Sequence, residues 1–465
     1  MNPRLDVPTG PQAGSVCRRL AGLALIALLC WGVTVPGAAP AISASDAPLK
    51  LSKKDLETLR KVGDFERMLE RRGYVLADEP LQDYVTSVGH HVLPEESADP
   101  RIDYQFHVMR SPEANAFALP NGSIYVTVGL LALLENEGQL AAVLSHEVVH
   151  ASHYHYFRFE RQYKAKSVAM NLFAVASPLI PGWGGMLAQM GAEALYIGTM
   201  YGYSRDLEEE SDRMGLMRLA SAEYDAAQMP ASFRRLMVDY EGTNIESPVF
   251  YSDHPKLRAR IAYTEKMIAD KGLAVNARAS YPERYAATRE AASREEARVA
   301  IANDMPRTAI ATASWLVERQ PHSAEALALR AEGYRALGHR ERNIESNPPD
   351  VSDRKRMLKE KQTRTPEEIQ KHLSETKEGR AAWDANAAAA ETDYRKALEL
   401  EPDYAAAHLG LALLYQARAR PAEALEEAEA YLSRVPEGSL GHGRALQLRD
   451  DLKRRLEKPA PAAGR

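Results

Sequence analysis

The chain has 465 residues, of which 45% are hydrophobic and 26% are charged, and its formal net charge is −5. This composition is typical of a folded globular protein with two or three domains, and it excludes a disordered or coiled-coil chain. The acidic balance also argues against a general nucleic-acid binder, because such proteins present a basic surface.

Residues 1–41 have the pattern of a secretory signal peptide. Arg18 and Arg19 precede an apolar run from Leu20 to Val35, and Ala39-Pro40-Ala41 offers a cleavage site between small residues. The strongly apolar part is about 15 residues long, which is short of the roughly 20 residues that span a bilayer. We therefore predict a cleaved leader and a secreted mature protein. A retained N-terminal membrane anchor is the alternative.

The first domain is predicted to cover residues 50–285 and to combine helices with a small sheet. Its turn signal is Pro120-Asn121-Gly122, which predicts a hairpin. The periodicity of apolar residues predicts two helices and two strands before the middle of this domain, at 51–72, 81–92, 104–109 and 124–128.

The sequence His146-Glu147-Val148-Val149-His150 follows the hairpin, inside an apolar run that predicts a buried helix. Residues four apart lie on one face of a helix, one turn apart, so both imidazoles can bind one metal ion. Glu147 lies roughly 100° around the helix from His146, where it reaches water at the metal. Such a site supports hydrolysis, with zinc polarising a carbonyl and the glutamate accepting a proton. Chance occurrence of the pattern is the alternative, and a third ligand would argue against it.

Several residues are poor candidates for the third ligand. Cys17 and Cys30 lie in the leader, and position 156, where a metzincin would carry a histidine, is Tyr156. We expect the helix to continue through His153 and His155, which places His153 a turn beyond the two ligands and out of reach. The third ligand should therefore be a carboxylate on a later helix.

A break rich in glycine and proline lies at residues 177–185, after the helix that carries His146 and His150 and before the later helix that should supply the carboxylate. It separates two apolar helices, at 167–176 and 186–198, that are too short to cross a membrane. The break is predicted to be either a lid near the cleft or a plain interhelical loop.

The acidic stretch from Tyr203 to Asp212 offers the missing carboxylate. Glu208 and Asp212 are four residues apart, so on a helix they share a face, where Asp212 could hydrogen-bond a metal ligand and orient it. An acidic run of this kind is also common on solvated helix faces.

The pattern His-Glu-x-x-His followed by Ser-Arg-x-x-Glu-x-Glu-Ser-Asp at 204–212 resembles the HtpX/Oma-like zinc metallopeptidases. Ser211 is the one departure, because alanine is usual there. The resemblance implies one zinc ion per chain, with the ligands His146, His150 and Glu208, with Glu147 as the general base, and with Asp212 orienting a ligand.

Residues 115–127 resemble the segment that precedes the active helix in the same family, with Asn121 in place of the more usual glycine. An edge strand beside a zinc site can hold an extended peptide through main-chain hydrogen bonds. A purely structural hairpin is the alternative.

Ser252-Asp253-His254-Pro255 resembles an element of the BepA-like periplasmic branch of the family. The resemblance implies that His254 approaches the zinc ion and restrains the enzyme, or that it stabilises the developing oxyanion. Without the resemblance, a His-Pro pair would be an ordinary loop.

Residues 290–457 are rich in alanine, glutamate and arginine, and their prolines Pro402 and Pro436 are 34 residues apart. Ala309, Ala390 and Ala424 each stand twelve residues before a proline, in a pattern that resembles tetratricopeptide repeats. A generic helical bundle is the alternative. A polar insertion is predicted at 343–376, and a disordered tail at 458–465.

The predicted fold is therefore mainly α, with an α+β peptidase domain followed by an α-solenoid of tetratricopeptide-like helix pairs. The resemblance implies a periplasmic zinc endopeptidase that degrades misassembled outer-membrane β-barrel proteins and assists their assembly. Its implied partner is the outer-membrane assembly machinery, contacted through the repeats, with at most peripheral contact with the membrane and no nucleic acid. Two alternatives stay open, an assembly scaffold with a restrained zinc site and a membrane-anchored quality-control peptidase.

Overall fold

The structure is a computed structural model that describes residues 50–93, 99, 101–164, 203–242, 254–342, 377–439 and 441–457. The fold is mainly α with one small sheet, which confirms the predicted fold class. The chain divides into two compact units within one helix, between Ala292 and Ser293. The predicted domain limits at 285 and 290 stay predictions.

The elements of the first unit are numbered here in the order in which the described residues present them. They are α1 (Lys53–Arg71), α2 (Glu79–His91), β1 (Gln105–Met109), β2 (Ala116–Ala118), β3 (Ser123–Thr127), α3 (Val128–Leu133), α4 (Glu137–Ser152), α5 (His155–Lys164), α6 (Arg205–Ser221), α7 (Gln228–Gly242), α8 (His254–Lys271), a 3-10 helix (Ala277–Ser280) and α9 (Pro282–Ala302), which runs across the division.

Local sequence sets where the first helices begin. Ser52 and Asp55 form a reciprocal capping box at the start of α1, in which each side chain accepts a hydrogen bond from the backbone N–H of the other residue. Asn136 caps α4, because its side chain accepts a hydrogen bond of 2.9 Å from the backbone N–H of Gln139. These caps satisfy N–H groups that the first turn of a helix leaves unpaired.

The sheet has the strand order β1-β3-β2, with β1 parallel and β2 antiparallel to β3. The turn between β2 and β3 contains Gly122, whose φ of +108° is a conformation that favours glycine. The predicted hairpin is therefore confirmed, and it leaves β2 at an edge of the sheet.

The two faces of the sheet enter different apolar cores. One face, which carries Phe106, Ile124 and Val126, packs into the core that also contains residues of α2 and α4. The opposite face carries Met109 and Tyr125 and joins a core with residues of α1 and α5. Because side chains alternate between faces along a strand, both faces of β3 can be apolar and buried.

Helix α4 is the centre of the first unit. Nearly all of its residues are buried, and it packs against α2, α6, α7 and the sheet. A helix enclosed on all sides carries its polar side chains into the interior, so each buried polar group on α4 requires a partner.

The helix with the two predicted ligands is shorter than the sequence predicts. It ends at Ser152, Tyr154 has a left-handed φ of +50°, and α5 begins at His155. The prediction of a single helix through His153 and His155 is therefore wrong, because the backbone leaves the right-handed conformation at Tyr154. The break brings the ring of His155 back against His150, with 4.8 Å between the ring centroids.

The second unit contains only helices within the residues that are described. Consecutive helices pack against each other, and Ala309, Ala390 and Ala424 are fully buried where they do so. Small residues at these positions permit close helix packing, but the tetratricopeptide assignment stays a prediction. The helices are α10 (Pro306–Arg319), α11 (Ala324–Arg342), α12 (Lys377–Leu400), α13 (Ala405–Ala417), α14 (Pro421–Leu432) and α15 (His442–Glu457).

Six predicted segments lie outside the described residues. Across the described ranges, no helix combines the length and the apolar character that a membrane span requires. The features outside these ranges are the leader at 1–41, the apolar helices at 167–176 and 186–198, the break at 177–185, the insertion at 343–376 and the tail at 458–465.

The close approach of α3 to the preceding loop predicts a large effect of one methyl group. A Cβ atom at Gly129 would overlap the backbone carbonyl of Pro112, whereas a Cβ atom at Gly63 in α1 would meet only the end of the Arg67 side chain, at 3.5 Å. Gly129→Ala is expected to lower the free energy of unfolding by about 1–3 kcal/mol. The matched change Gly63→Ala should leave it unchanged or raise it by up to about 1 kcal/mol. Urea denaturation of the full chain measures both, and equal effects would contradict the packing argument.

Candidate metal centre

Two histidines of α4 point their ring nitrogens at the same place. His146 and His150 are both buried, and their Nε2 atoms lie 2.9 Å apart. The helical spacing of four residues produces this approach, as the sequence predicts. Two imidazole nitrogens so close together suit a shared metal ion, since each can direct a lone pair at it.

A carboxylate from α6 completes the group. Glu208 Oε2 lies 3.6 Å from His146 Nε2, and Glu208 Oε1 lies 3.7 Å from His150 Nε2. Burial opposes ionisation of Glu208, but the contact with His146 and the nearby positive charges outweigh it and hold the pKa of Glu208 well below its usual value. Glu208 also sits in the first turn of α6, where the helix dipole favours a negative charge.

These three side chains could hold a metal ion. One donor atom from each lies within 4.8 Å of the others, and no other trio of His, Cys, Asp or Glu among the described residues forms such a group. Two imidazoles and one carboxylate are a ligand set of catalytic zinc, which keeps a fourth position open. The group therefore has the donor chemistry of a hydrolytic metal centre.

Asp212 contacts the His146 ring at the nitrogen that does not face the metal group. It is fully buried, and its Oδ1 atom lies 2.8 Å from His146 Nδ1, the nitrogen that faces away from Glu208. In the neutral imidazole this contact holds the one proton on Nδ1, so that Nε2 can bind metal. This position is the one that the predicted orienting role of Asp212 requires, and the role itself stays a prediction.

Residues of helix α8 balance the negative charge of Asp212. Arg260 forms two hydrogen bonds of 2.7 Å with the Asp212 carboxylate, and the hydroxyl of Tyr263 donates to the same carboxylate. Burial opposes ionisation of Asp212, but the charge of Arg260 outweighs it and keeps the pKa of Asp212 below its usual value. The Arg260 guanidinium also lies over the ring of Phe233, 4.2 Å from its centroid.

The same carboxylates determine the protonation of His146. Burial alone would lower its pKa, but the hydrogen bonds with Asp212 and Glu208 outweigh burial and raise the pKa of His146 to about 9. A metal ion that binds to Nε2 must therefore displace a proton at neutral pH. His150 differs, because burial lowers its pKa well below the usual value.

Glu147, the residue after His146 on α4, is buried. Burial raises its pKa to about 7, although the charge of His146 and the nearby backbone of Ala118 in β2 act in the opposite direction. A carboxylate with this pKa can accept and return a proton near neutral pH. The carboxylate is thus close to the edge strand of the sheet.

Two other histidines in the sequence have different positions. His153 caps the end of α4 and contacts Ser152 Oγ at 2.9 Å, and it is not part of the three-residue group. His254 is the first residue of α8, the helix that carries Arg260, while its side chain and residues 251–253 lie outside the described part of the chain. Its predicted approach to the metal stays a prediction.

The sequence did not point to several residues of this site. Arg260 is 48 residues from Asp212, so no spacing rule connects the two. Gly215 lets α6 approach α4, since a Cβ atom there would lie 3.1 Å from the backbone of His146. His155, which contacts His150, follows a helix end that the apolar pattern does not reveal.

Comparison with known proteins adds a family to this geometry. Residues 80–268 match the family described as Peptidase family M48. The mitochondrial metalloendopeptidase OMA1 of Schizosaccharomyces pombe is 31% identical over 169 residues, which are 36% of this chain and 48% of that protein. The beta-barrel assembly-enhancing protease of Escherichia coli K12 is 27% identical over 252 residues, which are 51% of this chain and 50% of that protein. The chain thus spans about half the length of the curated relatives it matches.

The geometry predicts which acidic residue of α6 binds the metal. Glu208→Ala removes one of three protein ligands, so zinc affinity is expected to fall by more than the roughly 10–100-fold that loss of an indirect contact costs. Glu209→Ala is the matched control, because Glu209 is the adjacent glutamate of the same helix and is not part of the group. Competition with a chelator measures both variants. Loss of zinc from the Glu209 variant with retention in the Glu208 variant would contradict the assignment.

Proposed function

We propose, from the match of residues 80–268 to peptidase family M48, that the protein is a zinc-dependent endopeptidase of the bacterial periplasm that degrades misassembled outer-membrane β-barrel proteins. The observation that carries the proposal is the meeting of three buried or half-buried donor side chains, His146, His150 and Glu208, beside the buried carboxylate of Glu147. A pure scaffold would need neither the ligands nor the base.

The proposed chemistry uses each residue for a separate task. A bound zinc ion would act as a Lewis acid that polarises the scissile carbonyl and lowers the pKa of the attacking water. The Glu147 carboxylate accepts the proton of that water and passes it to the leaving amine. Asp212 holds His146 in the tautomer that binds metal through Nε2, and Arg260 keeps Asp212 ionised.

Substrate is proposed to bind along β2. This strand is at an edge of the sheet, and the backbone of Ala118 lies close to the Glu147 carboxylate. An extended peptide that pairs with an edge strand is held by main-chain hydrogen bonds, which require no particular side chains. Such a site would accept many unfolded or misassembled chains, and it would place a peptide bond close to the general base.

The proposed substrates and partner follow from the named relatives and the sequence. One relative is named a beta-barrel assembly-enhancing protease, and the leader pattern at 1–41 supports export to the periplasm. The helices from residue 306 onward carry none of the metal ligands, and stacked helix pairs suit protein binding. We assign them contact with the outer-membrane assembly machinery.

Removal of the general base tests the peptidase proposal. Glu147→Gln is expected to keep zinc and the fold but to lower cleavage of an unfolded substrate by about 10²–10⁴-fold, because only the proton acceptor is lost. Glu209→Gln should cleave normally and serves as the control. Rates are measured on a fluorescent unfolded protein, with zinc content determined in parallel, and undiminished cleavage by the Glu147 variant would remove Glu147 from this role. In cells, the Glu147 variant should bind outer-membrane proteins without cleaving them, so these proteins should co-purify with it.

The resemblance of residues 252–255 favours a second candidate, an assembly scaffold whose zinc site is mostly restrained. If His254 competes with water for the metal, His254→Ala should raise basal cleavage of the same substrate and self-cleavage. If His254 instead stabilises the oxyanion, the variant should lose activity while it keeps zinc. Activity equal to that of the wild type would exclude both roles.

A further inference from the structure

The second metal-binding histidine has an unusual partner behind it. His150 Nδ1 lies 2.9 Å from the Nδ1 atom of His155, and the two rings meet edge to face at 82°. His155 is fully buried, and its Nδ1 atom also lies 3.2 Å from Ser211 Oγ. The mechanism proposed above gives His155 no task.

The two nitrogens in contact cannot carry the same proton state. If His150 binds metal through Nε2, its remaining proton is on Nδ1, because a neutral imidazole carries one proton. That N–H requires an acceptor, since a buried donor without one costs free energy. The atom within reach is His155 Nδ1, which must then be unprotonated and must accept.

From this geometry we infer that His155 is a positioning residue, whose Nδ1 atom accepts a hydrogen bond from His150 and so keeps the His150 Nε2 lone pair directed at the metal. The inference rests on the proposed metal centre and deepens it. It assigns the two ligand histidines unlike supports, a carboxylate behind His146 and an imidazole behind His150.

The surroundings of His155 favour the same tautomer. With Nδ1 as an acceptor, the His155 proton is on Nε2, which has no hydrogen-bond partner among the described residues but lies 3.6 Å from Glu210 Oε1, within ion-pair distance. Glu210 is held in place by two hydrogen bonds from Arg158, of 2.8 and 2.9 Å. A negative carboxylate beside Nε2 favours a proton there. The sequence of contacts therefore runs from Arg158 through Glu210 and His155 to His150.

The backbone is built to present His155 in this position. Tyr154, directly before it, has a φ of +50°, which a bulky residue rarely adopts. The tyrosine ring packs in the core beneath the sheet, and its hydroxyl donates to Asp99 at 2.6 Å. These contacts stabilise the turn between α4 and α5, which brings His155 back to a helix that it has just left.

Two substitutions with the same branching separate hydrogen bonding from packing. Asparagine and leucine have the same number of side-chain heavy atoms, but only asparagine places an oxygen acceptor close to the position of His155 Nδ1. His155→Leu is expected to lower zinc affinity about 10–100-fold, the usual cost of removing the partner of a ligand histidine. His155→Asn should keep most of that affinity. Zinc affinity of the full chain is measured by chelator competition, with circular dichroism as the test of folding.

The outcomes separate the possible failures. Equal zinc affinity of the two variants, whether normal or reduced, would overturn the positioning role, because packing alone would then explain the result. Failure of the wild-type chain to bind zinc would instead overturn the metal centre itself.

A second measurement does not depend on the folding of either variant. In the zinc-loaded wild type, long-range ¹H–¹⁵N spectra of labelled histidines should place the His155 proton on Nε2 and the His150 proton on Nδ1. A His155 proton on Nδ1 would overturn the inference.

Discussion

The rest of the site depends on the contacts of one buried carboxylate, that of Asp212. It joins three helices, since it belongs to α6, lies 2.8 Å from His146 of α4 and forms two hydrogen bonds with Arg260 of α8. A carboxylate without exposure to solvent is stable only if its charge is paired and its oxygens are hydrogen-bonded. The structure satisfies both conditions. Loss of one partner from such a buried pair typically costs about 3–5 kcal/mol, so the contact contributes to the fold as well as to the metal centre.

The two ligand histidines, His146 and His150, have different kinds of hydrogen-bond acceptor behind them. A ligand histidine must keep its metal-binding nitrogen free of a proton, and a hydrogen bond at the other nitrogen achieves this. Behind His146 the acceptor is a negative carboxylate, which makes that ring more basic, whereas behind His150 it is a neutral ring. The metal would therefore be held by one strongly and one weakly basic imidazole, together with the carboxylate of Glu208.

The sheet contributes to the site through position and not through ligands. Its central strand is covered on both faces, which fixes the sheet against α4 and leaves the short edge strand β2 beside Glu147. If Glu147 is the general base, as proposed, a peptide paired with this strand would have its backbone close to that base.

Local sequence is enough to predict the elements that depend on near neighbours in the chain. The spacing of His146 and His150, the caps of the first helices and the glycine turn before β3 all follow from local geometry, and the structure contains each of them. The family resemblance then indicated Glu208 and Asp212 among several acidic candidates. Local patterns predicted the fold class for the same reason, since apolar periodicity reflects the element in which each residue lies.

The tertiary structure alone decided how those elements meet. Arg260 reaches Asp212 across 48 residues, and His155 faces His150 because the backbone turns at Tyr154, where the apolar pattern predicts a continuous helix. Such contacts leave no regular spacing in a sequence, because they arise from the packing angles of separate helices and from a left-handed residue that tertiary contacts stabilise. Local sequence and the family resemblance thus indicate the ligands of the metal centre, while the groups that orient those ligands are brought together only by folding.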